Sequence, residues 1–123
     1  MFRVRVCVAL LVVAMAIPAA ALAHRRATKA ERAAVVAAVV RQGKLSSAQA
    51  RCQVVTISTV NRGYAVLAWP AKLSKACLRV AANGVIVEHR VAAHWDFLTE
   101  GSSLQCPIKG LPTSVAHDLG ICR

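Results

Sequence analysis

The spacing of the cysteines is the feature that most constrains how this chain can fold. Five cysteines occur in 123 residues, and the first stands apart from the other four near the N-terminus. Small exported domains use an even number of cysteines as a disulfide framework, whereas zinc sites draw ligands in Cys-x-x-Cys or Cys-x-x-His pairs. Neither those pairs nor a thioredoxin-like dithiol occurs in this sequence. Of the three possible pairings we favour the sequence-local one, Cys52–Cys77 with Cys106–Cys122, and we predict no metal ion or cofactor.

The first 23 residues include Cys7, and their pattern predicts that they are removed, which leaves an even number of cysteines. Two arginines precede an apolar run from Val6 to Ile17, and Ala21-Leu22-Ala23 has the small-x-small pattern of a cleavage site. This is the architecture of a secretory signal peptide. A membrane anchor is the alternative, but a spanning helix needs about 20 apolar residues and a proline interrupts this stretch. We expect cleavage after Ala23, loss of the first cysteine, and a secreted or extracytoplasmic chain of residues 24–123 without a transmembrane segment.

A capping box marks the start of the one long helix. Thr28 and Glu31 have the Thr-x-x-Glu pattern, in which each side chain bonds a free backbone N–H of the first turn. Valines follow at four-residue spacing, and Gly43 suits the left-handed residue that ends a helix. We therefore predict a helix over about residues 29–42. Because a helix of this length is marginal by itself, its valine stripe should pack on a sheet.

Stretches rich in β-branched residues predict a sheet over about residues 52–99. CQVVTISTV and YAVLAWP flank the turn Asn61-Arg62-Gly63 and should form an antiparallel hairpin. The next pair is GVIVEHRV and HWDFLTEG, with the tryptophan and phenylalanine of the last strand on one face. The intervening residues 71–84 fit either a strand closing at an Asn-Gly turn or a short helix, and we favour the strand.

The C-terminal stretch predicts a covalently closed end. Residues 106–122 place two prolines and two glycines between the last two cysteines, and Thr113 is positioned to cap one helical turn. Closing a loop of roughly 15 residues stabilises a domain by about 3 kcal/mol in the chain-entropy description. The expected fold class is α+β. We predict one small domain, in which an N-terminal helix packs on a four- to five-stranded antiparallel sheet, followed by a short disulfide-tethered C-terminal helical turn.

Candidate catalytic residues are few. Glu88, Asp96 and Glu100 fall on the last predicted hairpin, where paired carboxylates would suit a glycosidase. His89 and His94 flank the turn of that hairpin and would suit a bidentate metal site, but nothing fixes a third ligand. The chain also has no Gly-x-Ser-x-Gly, His-Glu-x-x-His or phosphate-binding glycine loop. We interpret these residues as solvent-facing and predict no catalytic, cofactor-binding or metal-binding residue.

Charge is the bulk property that implies a partner. Residues 24–123 hold 14 of the 16 Lys and Arg residues against 5 Asp and Glu, a formal charge of +9. Such a chain is attracted to anionic surfaces. Its densest basic patch runs from His24 to Lys29, and we expect the first of these residues to be disordered. With five aromatic residues and no recognition motif, specific nucleic-acid binding is not expected. Genomic base composition and solubility are the alternative explanation of the charge.

Three stretches resemble a pattern seen in small secreted proteins of high-GC Gram-positive bacteria, proteins with no assigned activity. The stretches are VVTISTVNRGYAV, HWDFLTEGSSLQC and LPTSVAHDLGIC. The pattern consists of a Ser-Thr-Val strand, a Trp strand ending in Gly-Ser, and a tail of the form Cys…Pro…Val-Ala-x-Asp-Leu…Cys. The resemblance covers roughly residues 52–70 and 85–122 and leaves Cys52 and Cys77 as an addition to the pattern. It implies export and this architecture, and it supplies no catalytic residues.

Together these features predict an exported, non-enzymatic module that associates with the cell envelope or another anionic partner, such as envelope polymers or lipid headgroups. Two alternatives stay open. One is a small secreted hydrolase or metal-dependent enzyme that uses Glu88, His89, His94 or Asp96. The other is an inhibitor or partner of another secreted protein.

Overall fold

A five-stranded antiparallel sheet forms the centre of the fold. The computed structural model describes residues 24–122, and the signal peptide predicted over residues 1–23 lies outside them. The strands lie side by side in chain order: β1 (His24–Arg26), β2 (Val54–Ser58), β3 (Tyr64–Ala68), β4 (Val85–Val91) and β5 (His94–Gly101). The helices of the described residues are α1 (Lys29–Arg41), α2 (Ser47–Arg51), α3 (Lys75–Leu78) and α4 (Thr113–Asp118). Every neighbouring strand pair is antiparallel, so the predicted α+β class is confirmed.

Helix α1 begins with the predicted capping box. Thr28 Oγ1 accepts a hydrogen bond from the Glu31 N–H at 3.2 Å, and Glu31 Oε1 accepts one from the Thr28 N–H at 3.0 Å. Gly43 follows the helix with a φ of 72°, in the left-handed region that favours glycine. The helix packs on the sheet through its buried residues, which are Val35, Ala38 and Val39.

Both faces of the sheet are covered, so the molecule has three layers. On the side that we call the helix face, α1 packs on buried side chains of the sheet, namely Val55, Ile57, Ala65, Leu67, Ile86 and Trp95. On the opposite side, the tail face, the C-terminal segment packs on the sheet through a second apolar cluster that contains Tyr64, Val66, Val87, Leu111, Val115 and Leu119. Burial on both sides explains why β3 has the nearly continuous apolar sequence YAVLA.

Two disulfides fasten the segments that lie outside the sheet. Cys52–Cys77 joins the end of α2 to α3, with Cα atoms 5.7 Å apart, and Cys106–Cys122 closes the C-terminal tail, with Cα atoms 6.1 Å apart. These are the two pairs that the sequence favours. Disulfides are typical of proteins that fold in an oxidising compartment. Within residues 24–122, no helix has the length and apolar character that crossing a membrane requires.

Three expectations about local structure are wrong. Thr113 is the first residue of α4 and does not cap it, because Pro112 holds the N-cap position and no side-chain hydrogen bond caps this end. Residues 71–84 contain the short helix α3 instead of a strand, and Ser74 caps that helix by accepting a hydrogen bond from the Cys77 N–H at 3.2 Å. The residues after Ala23 form β1 instead of a disordered end, with Arg25 opposite Ile57 of β2. Both elements are only three or four residues long, so they have no periodicity of their own. Their partners, a disulfide for α3 and β2 for β1, determine their structure.

Candidate anion-binding groove

The register of β4 and β5 places only two of the residues proposed for catalysis, His89 and Asp96, directly opposite each other. In the ladder between β4 and β5, Glu88 lies opposite Phe97, whereas His89 lies opposite Asp96. Because neighbouring residues of a strand point to opposite faces, the sheet separates Glu88 from His89. The His89 ring stacks on Tyr64, with ring centroids 4.6 Å apart. His94 is exposed at the end of the hairpin, and no group of three or more His, Cys, Asp and Glu that could hold a metal ion occurs in residues 24–122.

Glu88 departs most from its expected position. We predict a solvent-facing strand residue, but its side chain is 0% exposed. Gln42 Nε2 lies 3.5 Å from Glu88 Oε2, and Glu88 Oε1 has no hydrogen-bond partner among the described residues. Burial raises the pKa of Glu88 to about 7, the hydrogen bond from Gln42 opposes this rise, and the charge of Asp96 adds to it. A carboxyl group with no accessible surface belongs to the core and is not placed to act on a substrate.

Asp118 is a second buried carboxylate, and sequence reasoning missed its role. It is 7% exposed, and its Oδ2 accepts hydrogen bonds from the Ser58 hydroxyl at 2.5 Å and the Thr59 N–H at 2.8 Å, with the Val60 N–H at 3.4 Å. Burial favours a higher pKa for Asp118, but these hydrogen bonds outweigh it and hold the pKa below its usual value. The carboxylate therefore ties α4 to the turn between β2 and β3. No local pattern reveals this contact, because its partners lie about 60 residues away in the sequence.

Three arginines line a groove beside the helix face. The groove has a volume of about 510 Å³ and lies between the start of α1, the turn after β2 and the hairpin of β4 and β5. Its basic residues are Arg25, Arg62 and Arg90, and Trp95 contributes to its surface. Among the described residues that line it, Glu31 is the one carboxylate. The residue types therefore favour an anionic ligand.

The turn between β2 and β3 fixes two of these arginines relative to each other. Asn61 Oδ1 accepts a hydrogen bond from the Gly63 N–H at 2.9 Å, which closes the turn that carries Arg62. The Gly63 carbonyl oxygen accepts a hydrogen bond from the Arg90 N–H at 2.7 Å. The two arginines thus project from backbone segments that are bonded to each other. The sequence predicts the Asn-Arg-Gly turn, but the position of this turn beside Arg90 follows from the sheet register.

The third arginine neutralises the carboxylate of the groove. Arg25 donates two hydrogen bonds to Glu31, of 2.7 and 2.8 Å, and these lower the pKa of Glu31 to about 2. Glu31 is therefore ionised at neutral pH and paired with Arg25. Arg62 and Arg90 are exposed, and neither forms a salt bridge within residues 24–122. The groove consequently presents two guanidinium groups that no carboxylate of the described residues balances.

Few acidic side chains of the described residues are both exposed and free of an ion pair. Four of the five carboxylates are buried or paired: Glu31, Glu88, Glu100 and Asp118. The fifth, Asp96, is exposed. Because each ion pair also uses one basic group, the pairs leave the net charge of the surface unchanged, and only the burial of Glu88 and Asp118 takes acidic side chains off the surface.

Comparison with protein-family models, with curated proteins and with solved structures gives no match. The fold and the groove nevertheless define a class of molecule. It is a small, doubly disulfide-bonded α+β protein with an uncompensated basic groove.

Proposed function

We propose that this protein is an exported, non-enzymatic module that binds a phosphate-bearing anion of the cell envelope in the arginine groove. The observation that carries this proposal is the exposure of Arg62 and Arg90 on one groove without an ion pair to either among the described residues. Guanidinium groups recognise phosphate oxygens through paired N–H donors. Outside the cytoplasm, lipid headgroups and anionic envelope polymers both carry such oxygens.

The remainder of the groove fits a ligand with an apolar part beside its charge. Trp95 and Ala93 line the groove together with the start of α1, where Thr28 lies. The capping box already supplies this helix N-terminus with the Glu31 carboxylate, so the helix adds little to the attraction of an anion. Trp95 is 7% exposed, so little of its side chain is accessible to a bound molecule. The guanidinium groups therefore supply the principal attraction, and this makes the binding sensitive to salt.

Binding to two phosphate carriers tests the proposal. Residues 24–123 with both disulfides intact are mixed with vesicles of phosphatidylglycerol or of phosphatidylcholine, and separately titrated with linear polyphosphate. We expect Arg62→Ala/Arg90→Ala to weaken anion binding at least about tenfold, whereas Lys72→Ala/Arg79→Ala changes it less than about threefold. The second variant is a matched control, because Lys72 and Arg79 are exposed basic residues outside the groove.

The outcomes separate the groove from a general charge effect. Equal losses in the two variants would mean that net charge attracts the partner, and the proposal would be wrong. Binding that persists at about 1 M salt, where the screening length is about 3 Å, would also contradict it. Binding to polyphosphate but not to vesicles would assign the groove to a polymer, and the reverse result would assign it to a lipid headgroup.

Export is a separate part of the proposal, supported by the leader-like residues 1–23 and by the two disulfides. The intact mass of the protein from its native host tests it. We expect the mass of residues 24–123 less about 4 Da, with four cysteines alkylated only after reduction. A full-length mass with free thiols would show that the protein is not exported in this form.

A further inference from the structure

A smaller cavity lies at the opposite end of the strands from the arginine groove. Its volume is about 190 Å³, and it is bounded by the residues after α1, the ends of β3 and β5, and the start of β4. The side chains that give it its chemical character are Lys44, Gln49, Gln53, Trp69, Asn83 and Glu100. Charged and amide groups thus surround a small space beside one aromatic ring.

Gln53 supplies the first indication of a ligand. The residue is 4% exposed and lines the cavity, and its side-chain Nε2 is buried without an acceptor among the described residues. A buried N–H group without an acceptor destabilises the folded state, because it has lost its hydrogen bond to water. Native structures contain few such groups, and each one calls for an explanation. Because Nε2 itself has almost no accessible surface, the amide must turn toward the cavity before an oxygen of a bound molecule can provide the missing acceptor.

The outer wall of the cavity is held in place before any ligand binds. The segment of residues 71–84 is joined to α2 by the Cys52–Cys77 bond, and Gln49 Nε2 donates a hydrogen bond to the Val80 carbonyl oxygen at 3.2 Å. Gly84 adopts a φ of 101°, and a Cβ added there would lie 2.8 Å from the Gly101 carbonyl oxygen. Only glycine allows the ends of β4 and β5 to approach this closely. A preformed cavity of this kind loses little conformational entropy when it binds.

The charges within the cavity cancel, which favours an uncharged ligand. Lys44 Nζ lies 3.6 Å from Glu100 Oε1, so neither group presents an unbalanced charge. The amides of Gln53 and Asn83 offer hydrogen bonds of the kind that hydroxyl groups form. Trp69 is half-buried and offers an apolar surface beside them. Hydroxyl groups on one edge and C–H groups on a face are the chemistry of a sugar ring.

We propose that this cavity binds one neutral sugar residue. Its volume lies below the roughly 300–1,000 Å³ of drug-sized ligand sites, which restricts the occupant to a single ring. Gln53 donates to a sugar oxygen, and Trp69 packs against the C–H face of the ring. The site is distinct from the arginine groove, so either site can be lost while the other is retained.

Titration of isotopically labelled protein by NMR tests this proposal. Residues 24–123 are titrated with glucose, N-acetylglucosamine and their methyl glycosides up to about 50 mM, and the side-chain amide signal of Gln53 is followed. We expect a saturable shift of that signal with at least one sugar in wild-type protein. Gln53→Met keeps the length of the side chain but removes the donor, and it should weaken binding at least about tenfold, measured on neighbouring backbone signals. Arg62→Ala/Arg90→Ala should bind the sugar as the wild type does.

Each further result either supports or overturns the site. No saturable shift with any of these sugars would overturn it, and so would binding that is unchanged in both Gln53→Met and Trp69→Ala. Stronger binding of glucuronate than of glucose would contradict the neutral ligand. If Gln53→Met does not fold, Trp69→Ala decides, because Trp69 belongs to neither apolar cluster. Binding of the methyl glycoside supports a residue within a polymer, and binding of the free sugar alone supports a free ligand.

Discussion

Two buried carboxylates, one on each side of the sheet, have pKa values that are shifted in opposite directions from the ordinary value. Glu88 on the helix face is 0% exposed, and Asp118 on the tail side is 7% exposed. Asp118 accepts hydrogen bonds from Ser58, Thr59 and Val60, and its pKa is lowered. Glu88 has one long contact, and burial raises its pKa to about 7. The supply of hydrogen-bond donors, and not burial alone, therefore decides which of the two is charged.

The surroundings of Glu88 favour a bound proton. Gln42 uses its Nε2 to donate to the Trp95 carbonyl oxygen at 2.9 Å, while Gln42 Oε1 is buried without a donor in the described part of the chain. Glu88 Oε1 is also buried without a donor. Two acceptors without donors lie on neighbouring side chains, and protonation of Glu88 introduces the missing donor. Asp118 does not require a proton, because the groups that face its Oδ2 already donate hydrogen bonds to it.

The largest expected effect comes from removing the well-bonded carboxylate. Asp118→Ala leaves the Ser58 hydroxyl and the Thr59 N–H without their acceptor, and we expect it to lower the free energy of unfolding by on the order of 4 kcal/mol. Urea unfolding measures this loss. Asp96→Ala removes an exposed carboxylate of the same type and should change stability by less than about 0.5 kcal/mol. Similar losses in the two variants would show that the bonds to Asp118 are not what stabilises α4.

The second-largest loss of stability is expected from removing the disulfide that holds the same segment as Asp118. Cys106→Ser/Cys122→Ser opens the loop that carries α4, and we expect it to lower the free energy of unfolding by about 3 kcal/mol. Because Asp118 lies inside that loop, the two fastenings act on one segment. Combining the cysteine changes with Asp118→Ala should therefore cost less than the two losses added together. Strict additivity in urea unfolding would mean that the disulfide and the carboxylate stabilise different parts of the molecule.

A smaller effect appears as a dependence of stability on pH. Glu88 binds its proton more tightly in the folded protein, where its pKa is about 7, than at its ordinary value of 4.5. The stabilisation that this proton provides is complete below pH 4.5 and is lost as the pH rises through 7. Between about pH 5 and pH 8 we expect a loss of about 2 kcal/mol in wild-type protein.

Glu88→Gln isolates this effect, because the amide does not titrate and can donate a hydrogen bond. Subtracting the stability of the variant from that of the wild type at each pH removes the contribution of the histidines, which titrate in the same range. We expect the difference to fall with rising pH. A difference that is constant from about pH 5 to pH 8 would mean that Glu88 is ionised throughout.

These carboxylates also show which features could be predicted from the sequence. The capping box of Thr28 and Glu31 and the sequence-local cysteine pairs depend on residues close together in the chain, so their patterns are visible without a structure. The sequence on either side of Glu88 does not distinguish it from an exposed residue of a strand. Its burial depends on α1 lying across the sheet, and the position of Asp118 depends on a turn far away in sequence. The arginine groove likewise combines three segments that only the sheet register brings together.

Glu31 gives the smallest expected effect on stability. It distinguishes the contribution of burial from that of the hydrogen-bond donors. Like Asp118 it accepts several hydrogen bonds, from Arg25 and Thr28, but its side chain is 27% exposed. Glu31→Gln retains an acceptor for the cap and removes the charge, so we expect a loss of only about 0.5 kcal/mol, and less at high salt. Because the pKa of Glu31 is lowered to about 2, its stabilisation is present above pH 4.5 and is lost as the pH falls through 2. Urea unfolding at low and high salt measures the loss. A loss in the free energy of unfolding close to that of Asp118→Ala would show that the number of hydrogen-bond donors alone sets the stabilisation. The small loss that we expect would instead mean that exclusion from water strengthens the same type of bond at Asp118.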